Sequence, residues 1–380
     1  MLPEWYHKHL SKYLHPAQII TLDMLLWLVQ VSKQIKIERL AAQLPLPIQT
    51  ESRRRHIQRF LKLPNLSVVL LWFPIIEEII RRKFQRKQRI YLVLDRTQWK
   101  DKNLFMVGII MSKRALPIYW NFLEKEGASN LKEQKSLLRP VIKLLREYEM
   151  VILGDREFHS VELANWLRKK KVYFSMRQKK DTNIKFKSQD YCILSELNIK
   201  PGTRLFLRSI KVTKKWEASG LSMGIYWKRK YRGMGEKEPW YLLTNLPSLE
   251  EAVKAYKKRA GIEAMFRDCK TGGYNLEGSK ASLERLTRLV LIIALAYTSS
   301  TLKGQAIRVK AQHKYIARQR KVKQVLTKNS NFWMGLYGSR WLICDEFIKE
   351  RVEKLMSLNR NKLPFYQRGL RAMSIIQQAF

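Results

Sequence analysis

The spacing of hydrophobic residues divides the chain into a helical beginning, a mixed middle and a helical end. Residues 1–85 place apolar side chains three and four positions apart, as in PAQIITLDMLLWLVQVSKQ, which predicts amphipathic helices. From residue 86 the order becomes three strands, a helix, a strand, a helix and a strand. This order predicts an α/β layer built on a mixed sheet.

A second change of pattern begins near residue 181. Residues 181–246 lose the helical period and show short strand-like runs separated by glycines, which predicts a β-rich insertion. Residues 247–280 return to a helical pattern that completes the core, and residues 281–380 are helical again. We therefore expect a core that starts at 86–180, is interrupted at 181–246 and is finished by 247–280, between helical regions at 1–85 and 281–380.

The charge of the chain narrows the range of partners. Lys and Arg number 74 and Asp and Glu number 32, which gives a formal net charge of +42 over 380 residues. Self-repulsion of this size destabilises a compact chain, and a polyanion relieves it. Nucleic acid is the expected partner. A protein that only coats nucleic acid, as ribosomal and architectural proteins do, fits the charge equally well, and a membrane-surface protein fits it less well.

Cysteines and apolar runs exclude several other classes. The three cysteines are far apart and form no C-x-x-C, which excludes a disulfide framework and a zinc ribbon. The first residues have no apolar signal-peptide core, and the apolar runs at 67–76 and 289–296 are too short to span a bilayer. We therefore expect a cytoplasmic protein without a membrane or small-molecule partner.

A basic helix near the start of the chain is a candidate DNA contact. The runs IKIERLAAQL and TESRRRHIQRF, separated by LPLP, predict a helix, a turn and a helix. The second helix carries four arginines in its sequence, so we expect residues 1–85 to bind DNA; an ordinary solvated basic helix is the alternative. The arginines are Arg53, Arg54, Arg55 and Arg59.

Polar residues in YKKRAGIEAMFRDCK form a second candidate. Read as one helix at 100° per residue, the stretch places its members within about 60° of arc. The members are Tyr256, Arg259, Glu263 and Lys270. A solvated face with an Arg–Glu pair four residues apart would have the same pattern, so this stripe becomes informative only together with other carboxylates.

Two aspartates supply those carboxylates. Asp95 and Asp155 each end an apolar run, YLVLD and VILGD, in the same predicted sheet, although an aspartate at a strand end is often only a turn or cap residue. If the helix brings Glu263 to them, three carboxylates converge. Mg²⁺ prefers such oxygens together with phosphate, and two ions can serve an in-line phosphoryl displacement.

These motifs resemble a known family. The spacing Tyr-x2-Arg-x3-Glu-x6-Lys, together with LVLDRT and ILGDREF in the right order, is similar to the DDE transposases of a large group of bacterial insertion sequences. The resemblance covers roughly residues 50 to 280. It implies a ribonuclease H-like catalytic domain with a β-strand-rich insertion before the last catalytic helix.

The resemblance also implies a function and roles. It implies a cut-and-paste transposase that acts through a DNA hairpin and a two-metal site with Mg²⁺, for which Mn²⁺ substitutes. Asp95, Asp155 and Glu263 would be the catalytic metal ligands, and Tyr256, Arg259 and Lys270 would bind DNA phosphates. The partners would be double-stranded DNA, as terminal inverted repeats and target, and a second copy of the chain, for which residues 281–380 are the candidate contact.

Several alternatives stay open at this point. A flipped base beside a hairpin needs an aromatic surface, for which Trp227 and Trp240 are candidates, although Trp240 fits core packing equally well. A metal-dependent nuclease or an inactive DNA-binding descendant would carry the same motifs without strand transfer. The inverted repeats, the target preference and the side of the hairpin are not encoded in any pattern of the chain.

Overall fold

A computed structural model describes residues 4–186, 190–213, 218–229, 237–317, 329–358 and 360–378 of the chain. The chain forms two compact units. One comprises residues 76–266, and the other comprises residues 1–75 together with 267–380. We describe each unit by itself.

The unit of residues 76–266 contains a ten-stranded sheet. Its strands are β1 Arg89–Trp99, β2 Lys102–Met111, β3 Arg114–Leu123, β4 Glu149–Gly154, β5 Tyr173–Arg177, β6 Asn183–Lys185, β7 Cys192–Ile193, β8 Arg204–Val212, β9 Ala218–Tyr226 and β10 Trp240–Thr244. The strand order is β3-β2-β1-β4-β5-β10-β9-β8-β6-β7. Along the chain, the elements from β1 to β5 follow the predicted order of three strands, a helix, a strand, a helix and a strand, and the predicted mixed α/β class is confirmed.

Helices occupy both units. They are α1 Glu4–Leu10, α2 Pro16–Ser32, α3 Ile37–Gln43, α4 Thr50–Phe60, α5 Phe73–Lys83, α6 Leu131–Leu144, α7 Val161–Lys169, α8 Leu249–Lys257, α9 Ala260–Cys269, α10 Leu283–Val309, α11 His313–Ile316, α12 Asn331–Ser357 and α13 Leu363–Gln377. A π-helical turn, Val68–Trp72, precedes α5.

The pairing within the sheet changes from antiparallel to parallel at β1. Strands β1, β2 and β3 form an antiparallel meander, whereas β1 pairs in parallel with β4 and β4 pairs in parallel with β5. These three parallel strands are almost wholly apolar at their centres because helices cover them. Helix α6 packs on β2 and β3, α7 on β5, and α8 on β4 and β5.

The strands of residues 181–246 extend the same sheet. Strand β10 pairs antiparallel with β5, and β9, β8, β6 and β7 follow outward from β10. One of the strand-like runs predicted in this segment, KVTKKWEASG at 211–220, lies partly outside the described residues, which omit 214–217. Residues 181–246 therefore continue the sheet of the core through backbone hydrogen bonds.

The other unit is helical. Helix α10 is buried along most of its length and packs against α12 and α2. Glycines bring α10 and α12 close together, since a Cβ on Gly304 would meet the Asn331 carbonyl oxygen at 1.7 Å and one on Gly335 would meet the Ser300 carbonyl oxygen at 1.9 Å. The predicted helical character of both ends of the chain is confirmed.

Helix α10 also has the length and composition of a membrane span. Among the described residues it is the one helix that passes this test, and 83% of its apolar window is buried inside the structure. The apolar run 289–296 is only part of this helix, which extends from Leu283 to Val309. The polar residues that follow the run, Thr298 to Thr301, are buried as well.

Candidate active site

Asp95 and Asp155 occupy equivalent positions on neighbouring parallel strands. The last parallel pair of β1 and β4 is Val93 with Leu153, and each aspartate lies two residues beyond it. The strand predicted to end at Asp155 ends one residue earlier, at Gly154, so that Asp155 directly follows β4. The prediction that β1 ends near Asp95 is wrong, because antiparallel pairing with β2 carries the strand on to Trp99.

The two aspartates are held in the same manner by the residues that follow them. The backbone N–H of Arg96 donates to Asp95 Oδ1 at 2.8 Å, and the N–H of Glu157 donates to Asp155 Oδ1 at 2.9 Å. The side chains of these two partners form a salt bridge with each other, Arg96 Nε to Glu157 Oε2, at 3.0 Å. This Arg96–Glu157 pair therefore ties the Asp95 strand to the turn that carries Asp155.

Glu157 is held from a second side as well. Its Oε1 accepts hydrogen bonds from the backbone N–H and the hydroxyl of Ser129, both at 3.0 Å. Arg96 in turn donates to Asn103 on β2 at 3.1 Å. Sequence reasoning missed this arrangement, although a charged residue just after each aspartate, in LDR and GDRE, was a usable signal.

Arg259 connects Asp95 with the third predicted carboxylate. Its guanidinium lies 3.7 Å from Asp95 Oδ2 and forms a short ion pair with Glu263, four residues further along the chain. The Arg259 and Asp95 side chains are mostly buried, whereas that of Glu263 is 54% exposed. One cation thus bridges two of the three carboxylates.

Burial has a large effect on the protonation of Asp95. Burial is the main cause that raises the pKa of Asp95 from 3.8 to about 7. The Arg96 N–H and the Arg259 charge oppose this rise, and the charges of Asp155 and Glu263 add to it. Both other carboxylates are therefore close enough to act on Asp95 electrostatically.

The pKa of Arg259 reflects the same surroundings. Burial alone lowers its pKa, but the negative charge of its neighbours raises the pKa overall. The neighbours that raise it are Tyr256, Glu263, Asp95 and Asp155. Arg259 is thus a fixed cation at the centre of the predicted site.

The sequence treated residues 256–270 as one helix, and this is wrong. Helix α8 ends at Lys257 and α9 begins at Ala260, so Tyr256 and Arg259 do not share a helix with Glu263. Hydrogen bonds between residues three apart replace the α-helical ones at the break. The narrow stripe computed for one helix therefore does not exist, although the contact between Arg259 and Glu263 survives.

Gly261 accounts for the close packing just after this break. A Cβ at this position would lie 2.9 Å from Ile110 Cδ1 on β2 and 3.2 Å from the backbone carbon of Arg114 on β3. Contacts this short leave no room for a side chain. Glycine thus lets the start of α9 pack directly on the β2–β3 hairpin, which positions Glu263.

Tyr256 is buried beside an aromatic residue of the insertion. Its ring meets that of Trp240 on β10 edge to face, with centroids 5.0 Å apart, and Trp240 also lies 5.8 Å from Tyr226 on β9. Burial raises the pKa of the Tyr256 phenol, to which Arg177 is hydrogen-bonded. Trp227 follows the end of β9, and its backbone pairs with Gly202 and Thr203.

Lys270 follows the end of α9 and belongs to the helical unit. Its ammonium group forms an ion pair with Glu277 at 2.6 Å. The predicted roles of Lys270 and of the two tryptophans stay predictions.

The predicted DNA-contact arginines on α4 differ in their surroundings. Arg53 donates to the Leu44 carbonyl oxygen at 3.1 Å and to the Thr50 hydroxyl at 2.9 Å. Arg54 and Arg55 form ion pairs with Glu51, whereas Arg59 is exposed. Arg53 thus stabilises the turn between α3 and α4 through hydrogen bonds. The remaining three arginines are exposed to solvent to different degrees.

The donor set suits a hard cation, but it does not form a ready-made site. Across the parts of the chain that the structure describes, no group of three or more His, Cys, Asp or Glu side chains is arranged to hold a metal ion. Asp95, Asp155 and Glu263 provide the oxygen ligands that Mg²⁺ prefers, and their mutual repulsion is met in part by Arg259. The residues therefore fit divalent cations in chemistry.

Comparison with known proteins gives a family match and similar solved structures, one of which is described here. No curated protein matches the chain. A cryo-EM structure of a piggyBac transposase synaptic complex with hairpin DNA aligns over 92% of this chain and 78% of that chain, at 14% identity and a TM-score of 0.42. Residues 122–299 match the model of the transposase DDE domain. The matched range includes Asp155 and Glu263, and it begins after Asp95. Residues 122–299 are therefore similar to the transposase DDE domain.

Proposed function

We propose that the chain is a transposase that cleaves DNA at the ends of an insertion sequence and joins the freed strand to target DNA. The observation that carries the proposal is the position of Asp95 and Asp155, each two residues beyond the last parallel pair of β1 and β4, with Arg259 linking Asp95 to Glu263. The family match over residues 122–299 supports the same class of reaction.

In this proposal Asp95, Asp155 and Glu263 hold two Mg²⁺ ions, for which Mn²⁺ substitutes. Such ions, when bound, activate the attacking oxygen and stabilise the leaving oxygen of an in-line phosphoryl transfer. Asp95 must lose its proton to serve as a ligand, and its pKa of about 7 places that change close to neutral pH.

The basic side chains near the carboxylates would bind DNA phosphates rather than the metal ions. Arg259 is buried, permanently charged and planar, which suits it to bind a phosphate in two places. We propose that Arg259 neutralises Asp95 and Glu263 in the free protein and contacts a DNA phosphate in the complex. Tyr256 would present its hydroxyl to the same phosphate region, and Lys270 would contact the DNA further along.

Strand transfer through a hairpin requires one base to leave the stack. Trp240 is the better supported of the two candidate tryptophans, because its ring touches Tyr256, next to the proposed phosphate site. Trp227 remains the second candidate. Stacking of a base on one such ring is worth roughly 1–3 kcal/mol.

The substrate and assembly follow from the same proposal. The partners would be the terminal inverted repeats, target DNA and a second copy of the chain, with the dimer contact in residues 281–380. The protein would act in the cytoplasm on the bacterial nucleoid.

Cleavage of a labelled duplex that carries the gene's own flanking ends tests the proposal. We expect cutting at a defined end with Mg²⁺, and loss of cutting with EDTA or in Asp155→Ala. Asp101→Ala is the matched control, since Asp101 is 72% exposed and pairs only with its neighbour Lys102 among the described residues.

Three other outcomes separate the alternatives. Cutting without joined target DNA would indicate a metal-dependent nuclease. Salt-sensitive binding without cutting would indicate an inactive DNA-binding descendant. Equal cutting by wild-type protein and Asp155→Ala would refute the proposed site.

A further inference from the structure

A basic cleft lies in the helical unit. The cleft has a volume of about 380 Å³. Its lining residues are Ser52, Arg55, Gln58, Arg59, Lys62 and Arg285. Five of them come from α4 and the turn that follows it, and Arg285 comes from the first turn of α10.

The lining combines four cations with two neutral hydrogen-bonding side chains and contains no carboxylate. The Arg55 side chain is 70% exposed, and its Nε lies 3.2 Å from Glu51 Oε1, which partly neutralises its charge. Among the described residues, the side chains of Arg59, Lys62 and Arg285 form no ion pair within 4.0 Å. Like charges gathered around one cleft repel each other, so the arrangement favours a bound anion.

The cleft residues of α4 follow the helical repeat. Ser52, Arg55 and Arg59 are three and four residues apart, so they lie along one face over about 10 Å. A DNA duplex carries one phosphate per roughly 1.7 Å of its axis, counting both strands. A row of this length therefore meets several phosphates, whereas a single small anion would use only one or two of the cations.

We propose that this cleft binds the phosphodiester backbone of double-stranded DNA through Arg55, Arg59, Lys62 and Arg285. Ser52 and Gln58 add neutral hydrogen bonds to the same phosphates. The identity of the anion as DNA rests on the proposed function. Arg53 and Arg54, which the sequence grouped with these residues, are outside the cleft lining.

The salt dependence of duplex binding tests this assignment. Each phosphate contact contributes about 0.9 to the slope of log K against log salt concentration. For a duplex of random sequence in EDTA, we expect the combined variant Arg55→Gln, Arg59→Gln, Lys62→Gln and Arg285→Gln to reduce the slope by roughly 3, a little below four full contacts because Glu51 already binds Arg55. Circular dichroism verifies that the variant is folded.

A matched control removes four charges elsewhere on the same unit. Lys349, Arg351, Lys354 and Lys362 are exposed on α12 and just before α13. Their replacement by glutamine should change the slope by less than about 1. If the four-residue cleft variant does not fold, Arg59→Gln and Arg285→Gln, made separately, should each lower the slope by about 0.9.

The outcomes distinguish this inference from the proposed function. Equal loss in the cleft and control variants would overturn the cleft, because net charge alone would then explain binding. Complete competition by millimolar inorganic phosphate would also overturn it, since the cleft would then be a small-anion site. Wild-type protein that binds no duplex would refute the proposed function together with the cleft, whereas normal cleavage and binding by the cleft variant would refute the cleft alone.

Discussion

Asp95→Asn should stabilise the metal-free protein, and increasingly so as the pH rises. Asparagine keeps the shape of the side chain and an oxygen that can accept the Arg96 N–H, but it removes the ionisable group. The replaced carboxyl is largely buried and has a pKa of about 7 in place of 3.8. The variant therefore isolates the cost of keeping a charge at this position.

The size of the effect follows from the shift in pKa. One pKa unit corresponds to about 1.4 kcal/mol, so a rise from 3.8 to about 7 is worth roughly 4 kcal/mol. Because the folded-state pKa is raised, the folded state binds the proton more tightly than the unfolded state does. Stability from this group is thus full below pH 3.8 and is lost as the pH rises through 7. Less than half of the loss has occurred at pH 5, and nearly all of it at pH 8.

Thermal unfolding of wild-type and variant protein at pH 5 and pH 8, in EDTA, measures this cost. We expect the advantage of Asp95→Asn to grow by about 2–3 kcal/mol between the two pH values. For a unit of this size, that is a difference in Tm of roughly 5–10 °C. Added Mg²⁺ should stabilise the wild-type protein at pH 8 and have little effect on the variant.

Asp101→Asn provides the control, because the hydrogen bond from Lys102 and the nearby lysine charges hold the pKa of that carboxyl below its usual value. Its stability relative to wild type should therefore be the same at pH 5 and pH 8. An Asp95→Asn variant that is less stable at both pH values would refute the reasoning, since Asp95 would then act mainly as the ion-pair partner of Arg259.

Other predictions concern residues around the site and one glycine in α13. Glu157→Gln should lower stability by about 2 kcal/mol, because it leaves the mostly buried Arg96 without its carboxylate, and a double-mutant cycle with Arg96→Gln should give a coupling of about 1–2 kcal/mol by urea unfolding. Gly261→Ala should destabilise the protein by about 1 kcal/mol net of its gain in helix propensity, because its Cβ would clash with β2 and β3. Gly369→Ala in α13, with no atom within 4 Å of its Cβ, should instead raise stability by about 0.5–1 kcal/mol. Trp240→Ala should abolish the change in 2-aminopurine fluorescence at the flanking base of a DNA substrate, and an unchanged signal would exclude Trp240 as the stacking surface.

The alternation of apolar runs was sufficient to predict the order of strands and helices in the core. Buried parallel strands must be continuously apolar, and their surface helices must be amphipathic, so YLVLD and VILGD were recognisable in isolation. The end of β4 was predicted at Asp155 for the same reason, within one residue of its end at Gly154. The end of β1 was not, because it depends on pairing with β2 rather than on the local sequence.

The sequence by itself determined the class of the fold, the order of its elements, the excess of positive charge and the identity of the candidate carboxylates. These properties are local, since periodicity, composition and motif spacing act within a few turns of chain. Only the tertiary structure decided that the helix of Arg259 and Glu263 is broken, that Arg259 lies between Asp95 and Glu263, and that the Arg96–Glu157 pair joins the two aspartate positions. Each of these depends on contacts between residues distant in sequence, whose burial and charge set both the geometry and the raised pKa of Asp95.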